Sequence, residues 1–237
     1  MQRGACSREL GWRLCFTLLL AACVNPNTYT TPRSLPPGAA TFTVAPEVSG
    51  FGGSLNGAWD FGRTLPIPPT LGFRYGLSES VDFGARVASL TAAGDLKWNF
   101  LRSQLFDLAV VPGFQLYVVP NVGASDVSEN VSQDMPVALL HAPVLLAVNL
   151  TPNFSIVPSL GVSYSLAEQP PSAASDIELS QVLYGLFGRA GLGLDLRVTP
   201  SFALHPELTL LRGFGDSEGF LVFTGGLGLV FGRLAQY

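Results

Sequence analysis

The sequence of 237 residues contains little charge and few cysteines. Asp, Glu, Lys and Arg make up 13% of the residues, against about 25% in ordinary soluble domains. The three cysteines, Cys6, Cys15 and Cys23, all lie at the start of the chain. The remainder therefore cannot form an intramolecular disulfide. With only two histidines in addition, the sequence contains no recognisable metal site, and we expect no metal or other cofactor.

Basic residues are scarce as well. The chain has 13 Lys and Arg against 17 Asp and Glu, which gives a net charge of −4. Without residues 1–22, which resemble a cleaved signal (below), three basic residues and one acidic residue are lost. Ten basic and sixteen acidic residues then remain, for a charge of −6. No basic patch is present, and this argues against a nucleic-acid partner.

Long apolar runs are missing, although 48% of the residues are apolar. No stretch after residue 22 is apolar over 18 residues, so the sequence contains no transmembrane helix. Apart from helices, only a closed barrel satisfies every backbone polar group within lipid. We therefore predict an all-β fold for residues 39–237, a transmembrane antiparallel up-and-down β-barrel.

The first 22 residues have the features of a cleaved signal peptide. Arg3, Arg8 and Arg13 precede a short apolar run that ends in Leu-Ala-Ala-Cys at Cys23. This ending resembles the lipobox of bacterial lipoprotein signals. The resemblance implies cleavage before Cys23 by the lipoprotein processing machinery and attachment of lipid, such as palmitate, to its thiol. Residues 23–38 are rich in proline, and we predict that they form an extended tether between the lipid and the barrel.

Strict alternation of apolar and polar residues marks the strands. From Phe154, every second residue is apolar, while most of the residues between are serine or glycine. Such small residues cannot fill the interior of a soluble barrel. We infer that the apolar side chains face lipid and that the small polar ones line a narrow lumen. Ten strands are predicted: 40–49, 67–77, 81–91, 95–102, 106–119, 136–150, 154–167, 182–198, 202–213 and 219–234.

Turn lengths and prolines add to this prediction. Tight turns alternate with longer links, such as 120–135 and 168–181, as in outer-membrane barrels. The ending of the chain, residues 221–237, resembles the terminal signal that such barrels present to the barrel assembly machinery. In-strand prolines remove a donor from the ladder, so their recurrence predicts either a ring of bulges or a band near the membrane interface. The four that recur in similar surroundings are Pro46, Pro112, Pro158 and Pro206.

Charged side chains fall on the predicted inward face. They are five acids and five bases, which permits either a salt-bridged, filled lumen or a narrow polar conduit. The set is Glu47, Arg74, Arg86, Asp95, Lys97, Asp107, Arg189, Asp195, Arg197 and Glu207.

Both histidines, His141 and His205, are also predicted to point inward. His205 shares its face with Glu207, so a Ser-His-Glu hydrolase acting on membrane lipid is conceivable. The serine-rich strand is not the predicted neighbour of His205, however, because residues 182–198 intervene. A nucleophile and base within hydrogen-bonding reach are therefore not expected, and we predict that the protein is not an enzyme.

Three functional hypotheses follow. The first is an outer-membrane barrel lipoprotein of a Gram-negative bacterium, either a structural element or a narrow porin-like channel. Its partners would be outer-membrane lipid and the two machineries named above, with the lipid anchor on the periplasmic side. The second is a lipid-tethered soluble β-sandwich that binds a periplasmic partner. The third is a barrel enzyme that acts on outer-membrane lipid.

Overall fold

The structure of the protein is a computed structural model. It describes residues 25–55, 58–61, 65–88, 91–119, 135–167, 184–215 and 220–235. Cys23 and residues 120–134 and 168–183 therefore lie outside the described residues, and the lipidation of Cys23 stays a prediction.

Twelve strand segments make up most of the described chain. Their bounds are β1 (Ala40–Leu55), β2 (Ala58–Phe61), β3 (Leu65–Gly76), β4 (Val81–Ala88), β5 (Thr91–Arg102), β6 (Phe106–Val110), β7 (Gly113–Val119), β8 (Met135–Thr151), β9 (Phe154–Ala167), β10 (Gly185–Thr199), β11 (Phe202–Gly213) and β12 (Phe220–Gly232).

The sheet closes on itself as a ten-stranded antiparallel barrel. Neighbours in the chain pair with one another, and β12 pairs with β1, so that Phe231 lies opposite Phe42. β6 and β7 form one wall strand because both pair with β5 and β8. β2 is a short hairpin partner of the end of β1. Twelve segments thus give ten wall strands, as predicted. The soluble β-sandwich hypothesis is wrong, because the strands form one closed sheet and not two packed sheets.

The strand bounds differ from the prediction in two places. β1 runs six residues beyond the predicted end at Ser49 and turns into β2, so much of the expected loop 50–66 is strand. β4 and β5 pair up to Ala88 and Thr91, so their connection is shorter than residues 92–94 suggested. The tight turns before Val81, Phe106, Phe154 and Phe202 are confirmed.

Prolines coincide with interruptions of the ladder. The register shifts between Ala45 and Glu47, on either side of Pro46, and Pro112 lies in the break between β6 and β7. At Pro158 and Pro206 the strand keeps its register, but pairing on one side is interrupted. A proline cannot donate to a ladder. Of the four positions, Pro46 alone coincides with a register shift, so the predicted bulge is confirmed there, whereas at the other three prolines the pairing is interrupted and the register is kept.

The outer surface of the barrel is apolar. Leu160 is 67% exposed and Phe42 58%, and apolar residues cover the outward face of almost every wall strand. Near the tight turns, aromatic rings pack in pairs, Phe42 with Phe73 and Phe202 with Phe231. This distribution is expected of a barrel wall in contact with lipid. In the part of the chain that the structure describes, no helix is long and apolar enough to cross a membrane.

Apolar side chains also occur inside, which corrects the prediction of a uniformly small and polar lumen. We call the end of the barrel with the tight turns the turn end and the opposite end the loop end. A buried apolar cluster crosses the lumen near the loop end. It consists of Tyr117, Val137, Leu139, Phe187, Leu211 and Val222. A smaller cluster of Leu35, Ala39 and Ala235 lies at the turn end, and the charged residues lie between the two.

Residues 25–35 are not an external tether. They lie inside the barrel, where all of them except the partly exposed Thr31 are buried, and we call them the lumen segment. They contain no strand or helix, as their prolines suggested. The prediction failed because the buried charges of the wall satisfy the main-chain groups of the segment, which water would satisfy in a free linker.

Candidate functional site: the lumen and its bound segment

The lumen segment extends from the middle of the barrel to the turn end. Asn25 lies among Glu47, Thr70 and Gln115. Glu47 is seven residues along β1 from Ala40, which places it roughly 18 Å from the turn end for a tilted strand. From there the chain descends to Gly38, whose N–H donates to the carbonyl of Gly76 at 2.9 Å.

Glu207 binds the main chain of the segment from one side of the lumen. Its carboxylate accepts hydrogen bonds from the N–H groups of Thr28 at 2.9 Å and Tyr29 at 2.6 Å. Tyr29 has a φ of +46°, a left-handed conformation that is rare for a residue with a side chain. Successive amides that converge on one anion in this way form a nest. The backbone is thus shaped around the carboxylate.

Two arginines bind the carbonyl groups that precede this nest. Arg189 donates from Nε and Nη2 to the carbonyl of Pro26, at 3.2 and 2.8 Å, and Arg86 donates to the carbonyl of Asn27. Gln115 completes the pattern at the start of the segment. With its amide oriented to satisfy both groups, it pairs with the N–H and carbonyl of Asn25, each at 3.0 Å.

Lys97 and Asp82 bind the lower half of the segment. The Lys97 ammonium donates to the carbonyls of Thr31 and Arg33 at 2.8 and 2.9 Å. Asp82 accepts from the N–H of Leu35 at 3.2 Å. Six wall side chains, counting Gln115, therefore hold main-chain groups of eight of the eleven residues in the segment. These residues are 25, 26, 27, 28, 29, 31, 33 and 35.

Tyr29 occupies a space that a glycine of the wall leaves open. Gly226 lies directly between Glu47 and Glu207 across the strands. A Cβ atom on Gly226 would collide with the Tyr29 hydroxyl, and one on Gly228 would come within 2.9 Å of its ring. In this space the Tyr29 hydroxyl donates to Glu47.

Asn25 and Arg33 anchor the two ends of the segment through their side chains. The Asn25 amide donates to both oxygens of Glu47, at 2.7 and 2.8 Å. Arg33 pairs with Asp107 at 2.8 Å and also donates to the carbonyl of Ser103 at 2.7 Å. Together with Tyr29, these side chains follow one another at intervals of four residues.

An ion cluster fixes the wall beneath the segment. Asp82 is fully buried and contacts Arg74 at 2.5 Å and Lys97 at 3.0 Å. Arg74 also pairs with Asp95 at 2.6 Å. These buried charges hold one another in position, which orients Lys97 and Asp82 toward the main chain of the segment.

The structure places all ten predicted charged residues on the inner face of the wall, nine of them in the ion pairs of the lumen and Glu47 at the segment. The sequence analysis missed Asp82 and Arg33. Asp82 has the same parity as Arg86 on β4 and could have been found. Arg33 had no such signal, because its segment was interpreted as a linker. With these two, six acids face six bases.

The histidines occupy different surroundings. His205 lies between Asp195 and Glu207, at 3.9 and 3.7 Å, with the Tyr29 ring edge-on at a centroid distance of 6.4 Å. His141 lies opposite Gly113 across the strands. The contacts of His205 are those of a buried imidazole between carboxylates. Among the described residues, no group of three or more His, Cys, Asp and Glu could hold a metal ion.

Little open space remains around the segment. A cavity of about 60 Å³ lies between Tyr29, Arg33 and the wall near Arg74 and His205. Such a volume holds a few water molecules.

Comparisons with known proteins give structural likenesses alone. No protein-family model matches the chain, and no curated protein matches it. The attachment invasion locus protein Ail of Yersinia pestis, solved with the heparin analogue sucrose octasulfate, is 12% identical. That match covers 83% of this chain and 99% of Ail, with a TM-score of 0.42.

Two autotransporter structures are similar over more of the chain. The translocator domain of NalP from Neisseria meningitidis is 12% identical, with 94% of this chain and 95% of that domain covered and a TM-score of 0.44. The transport unit of AIDA-I from Escherichia coli is 10% identical, with 93% and 97% covered and a TM-score of 0.48. At these identities and scores, the assignment of a barrel rests on the strand pairings described above.

Proposed function

We propose that this protein is a structural β-barrel of a Gram-negative outer membrane, sealed by its own N-terminal lumen segment. The observation that carries the proposal is the filled lumen. The segment and two apolar clusters follow one another along the axis, where a conduit would need a continuous polar path. In this proposal the turn end faces the periplasm, because both ends of the barrel domain lie at the turn end and outer-membrane barrels have their short turns on the periplasmic side.

The sealed lumen opposes ion passage in two ways. The apolar cluster at the loop end offers no partners to a hydrated ion, and removal of its water is costly. Below it, the charged groups of the wall are already bound to one another and to the segment. We therefore expect the protein to carry no steady current, in contrast to the narrow channel that the sequence left open.

Planar-bilayer recording tests the seal. Wild-type protein should give no single-channel steps at any applied voltage, while a porin inserted in the same bilayers serves as the positive control. Folded protein is recognised by its altered gel migration before boiling. Discrete, reproducible openings of the folded wild-type protein would refute the sealed barrel.

Proteolysis tests the position of the segment. In folded wild-type protein without lipid on Cys23, Arg33 should resist trypsin, because it is buried against Asp107. Tyr29→Pro removes an amide donor to Glu207, and proline cannot adopt the positive φ of this residue. We expect the variant to be cut after Arg33 at least tenfold faster, whereas Thr31→Ala, which keeps the carbonyl bound by Lys97, should resemble wild type. Rapid cutting of wild type at Arg33 would place the segment outside.

Lipid attachment at Cys23 is part of the proposal and is constrained by the geometry. Cys23 precedes Asn25 by two residues, which span at most about 7 Å even in a fully extended chain. While Asn25 is bound halfway up the lumen, a lipid on Cys23 cannot reach the periplasmic leaflet. A periplasmic anchor and an inserted segment are therefore alternative states of the same chain.

A direct test separates these states. Palmitate labelling and mass spectrometry of the mature protein should detect lipid on Cys23. If that lipid lies in the periplasmic leaflet, the lipidated fraction should be cut by trypsin after Arg33 and the unlipidated fraction protected. Equal protection of both fractions would contradict a periplasmic anchor.

We further propose that the protein has no enzymatic activity. His205 is held by two carboxylates and the Tyr29 ring, which leaves the hydrolase hypothesis without support from its surroundings. Activity on outer-membrane lipid that disappears in a His205→Ala variant would contradict this. The barrel assembly and lipoprotein processing machineries remain the expected partners.

A further inference from the structure

We propose that the lumen is a binding site for a non-helical polypeptide segment, and that residues 25–35 are its resident ligand, replaceable by a separate peptide of the same chemistry. This inference rests on the proposed function, in which the segment occupies the lumen of the membrane-inserted barrel. It goes beyond that function because it assigns the lumen a class of ligand.

The first support is that the wall binds the main chain. Arg189 and Arg86 donate to consecutive carbonyls, and Glu207 accepts from the two N–H groups that follow. Gln115 pairs with both main-chain groups of a single residue, as a neighbouring strand would. Carbonyls and amides alternate along any polypeptide, so a wall that offers donors and acceptors in this order suits a peptide as a class of ligand.

The second support is that the binding groups belong to the wall itself. Asp82 is held by Arg74 and Lys97, and Arg189 donates to Ser159 at 3.0 Å as well as pairing with Glu207. These contacts do not involve the segment. The site is therefore largely organised before a peptide enters, which lowers the entropic cost of binding.

Three side chains of the segment indicate which peptide sequence the site prefers. Asn25 and Tyr29 reach Glu47, and Arg33 reaches Asp107. The space beside Gly226 accepts a ring that carries a hydroxyl. The preferred ligand is therefore a non-helical peptide with an amide, a phenol and a guanidinium at intervals of four residues.

A peptide added in trans tests the inference. The probe is a fluorescent peptide with the sequence of residues 25–35, and the receptor is the full chain with Tyr29→Pro, folded in detergent. Fluorescence anisotropy should show binding at least tenfold tighter than to the wild-type chain, whose own segment occupies the site. A photo-crosslinker at the tyrosine of the probe should label β1, β11 or β12, the strands around Tyr29.

Two altered peptides separate main-chain from side-chain recognition. One carries N-methyl groups on the two amides that bind Glu207 and keeps every side chain. The other has alanine in place of the tyrosine and the arginine. Each should bind at least tenfold more weakly than the parent peptide. Undiminished binding of the N-methylated peptide would overturn main-chain recognition by the lumen.

The outcomes also distinguish this inference from the proposed function. If trypsin shows that Tyr29→Pro has released its segment, yet the peptide fails to bind or labels the outer wall, the inference is wrong and the sealed barrel stands. If wild type without lipid on Cys23 conducts or is cut at Arg33, the sealed barrel is wrong. Should Tyr29→Pro fail to fold, Thr28→Pro, which removes the other donor to Glu207, takes its place in the same measurements.

Discussion

Asp82→Ala is expected to lower the free energy of unfolding by about 3–5 kcal/mol, the typical cost of removing one partner from a buried ion pair. Asp82 is fully buried and contacts Arg74 and Lys97 at once. Without it, two cations share a solvent-free region with Asp95 as the nearest remaining carboxylate of the cluster. Leu35 also loses the acceptor for its N–H, so the end of the lumen segment is weakened together with the wall.

Urea unfolding in lipid vesicles, followed by tryptophan fluorescence, measures this loss. Glu79→Ala removes an exposed carboxylate from the adjacent turn and should change stability by less than about 0.5 kcal/mol. The double variant Asp82→Leu/Lys97→Met should recover part of the loss, because it leaves one buried cation fewer unpaired. If Asp82→Ala and Glu79→Ala unfold at the same urea concentration, the ion cluster does not stabilise the barrel.

Leu160→Arg is expected to destabilise the inserted barrel by about 2–4 kcal/mol, the cost of a cation on the lipid face near the bilayer midplane. Leu160 is 67% exposed and lies six residues along β9 from the turn end, close to mid-height. The arginine would have to remain solvated within hydrocarbon or bend its side chain toward an interface. Unfolding in vesicles by urea gives the difference from wild type.

Leu166→Arg provides the matched control on the same strand and face. Leu166 is 45% exposed and lies one residue before the end of β9, where the side chain reaches the interface. A loss of about 0–1 kcal/mol is expected there. A depth-independent effect, with both variants equal, would show that this surface does not face a bilayer.

The sequence predicts the barrel wall well because the inward and outward faces of each strand follow from the alternation within that strand alone. Side chains alternate strictly across a strand, so Ser159 and Leu160 reveal the two faces of β9 without knowledge of any other strand. The ten strands and most of the tight turns follow from this local rule. The same rule was sufficient to place Asp82 on the inward face, because it has the same parity as Arg86, yet Asp82 was overlooked.

Alternation indicates whether a side chain faces the lumen or the lipid, but not how far along the barrel axis it lies. The apolar cluster depends on that second quantity. Tyr117 and Phe187 obey the alternation and point inward, yet they are large and apolar. Only the closed barrel shows that such residues from five strands meet at one level near the loop end. Their separation along the chain hides this cluster from any single window of sequence.

The sequence by itself determined the closed wall, its inward and outward faces and the balance of charge between them. Only the tertiary structure decided what fills the lumen. Thr28 and Tyr29 bind Glu207, which lies 179 and 178 residues further along the chain. Every residue other than proline offers the same amide and carbonyl groups, so no sequence pattern marks those that will be bound. Closure of the ten strands brings Glu207, Arg189 and Arg86 around one axis, and a polar, proline-rich segment becomes their ligand.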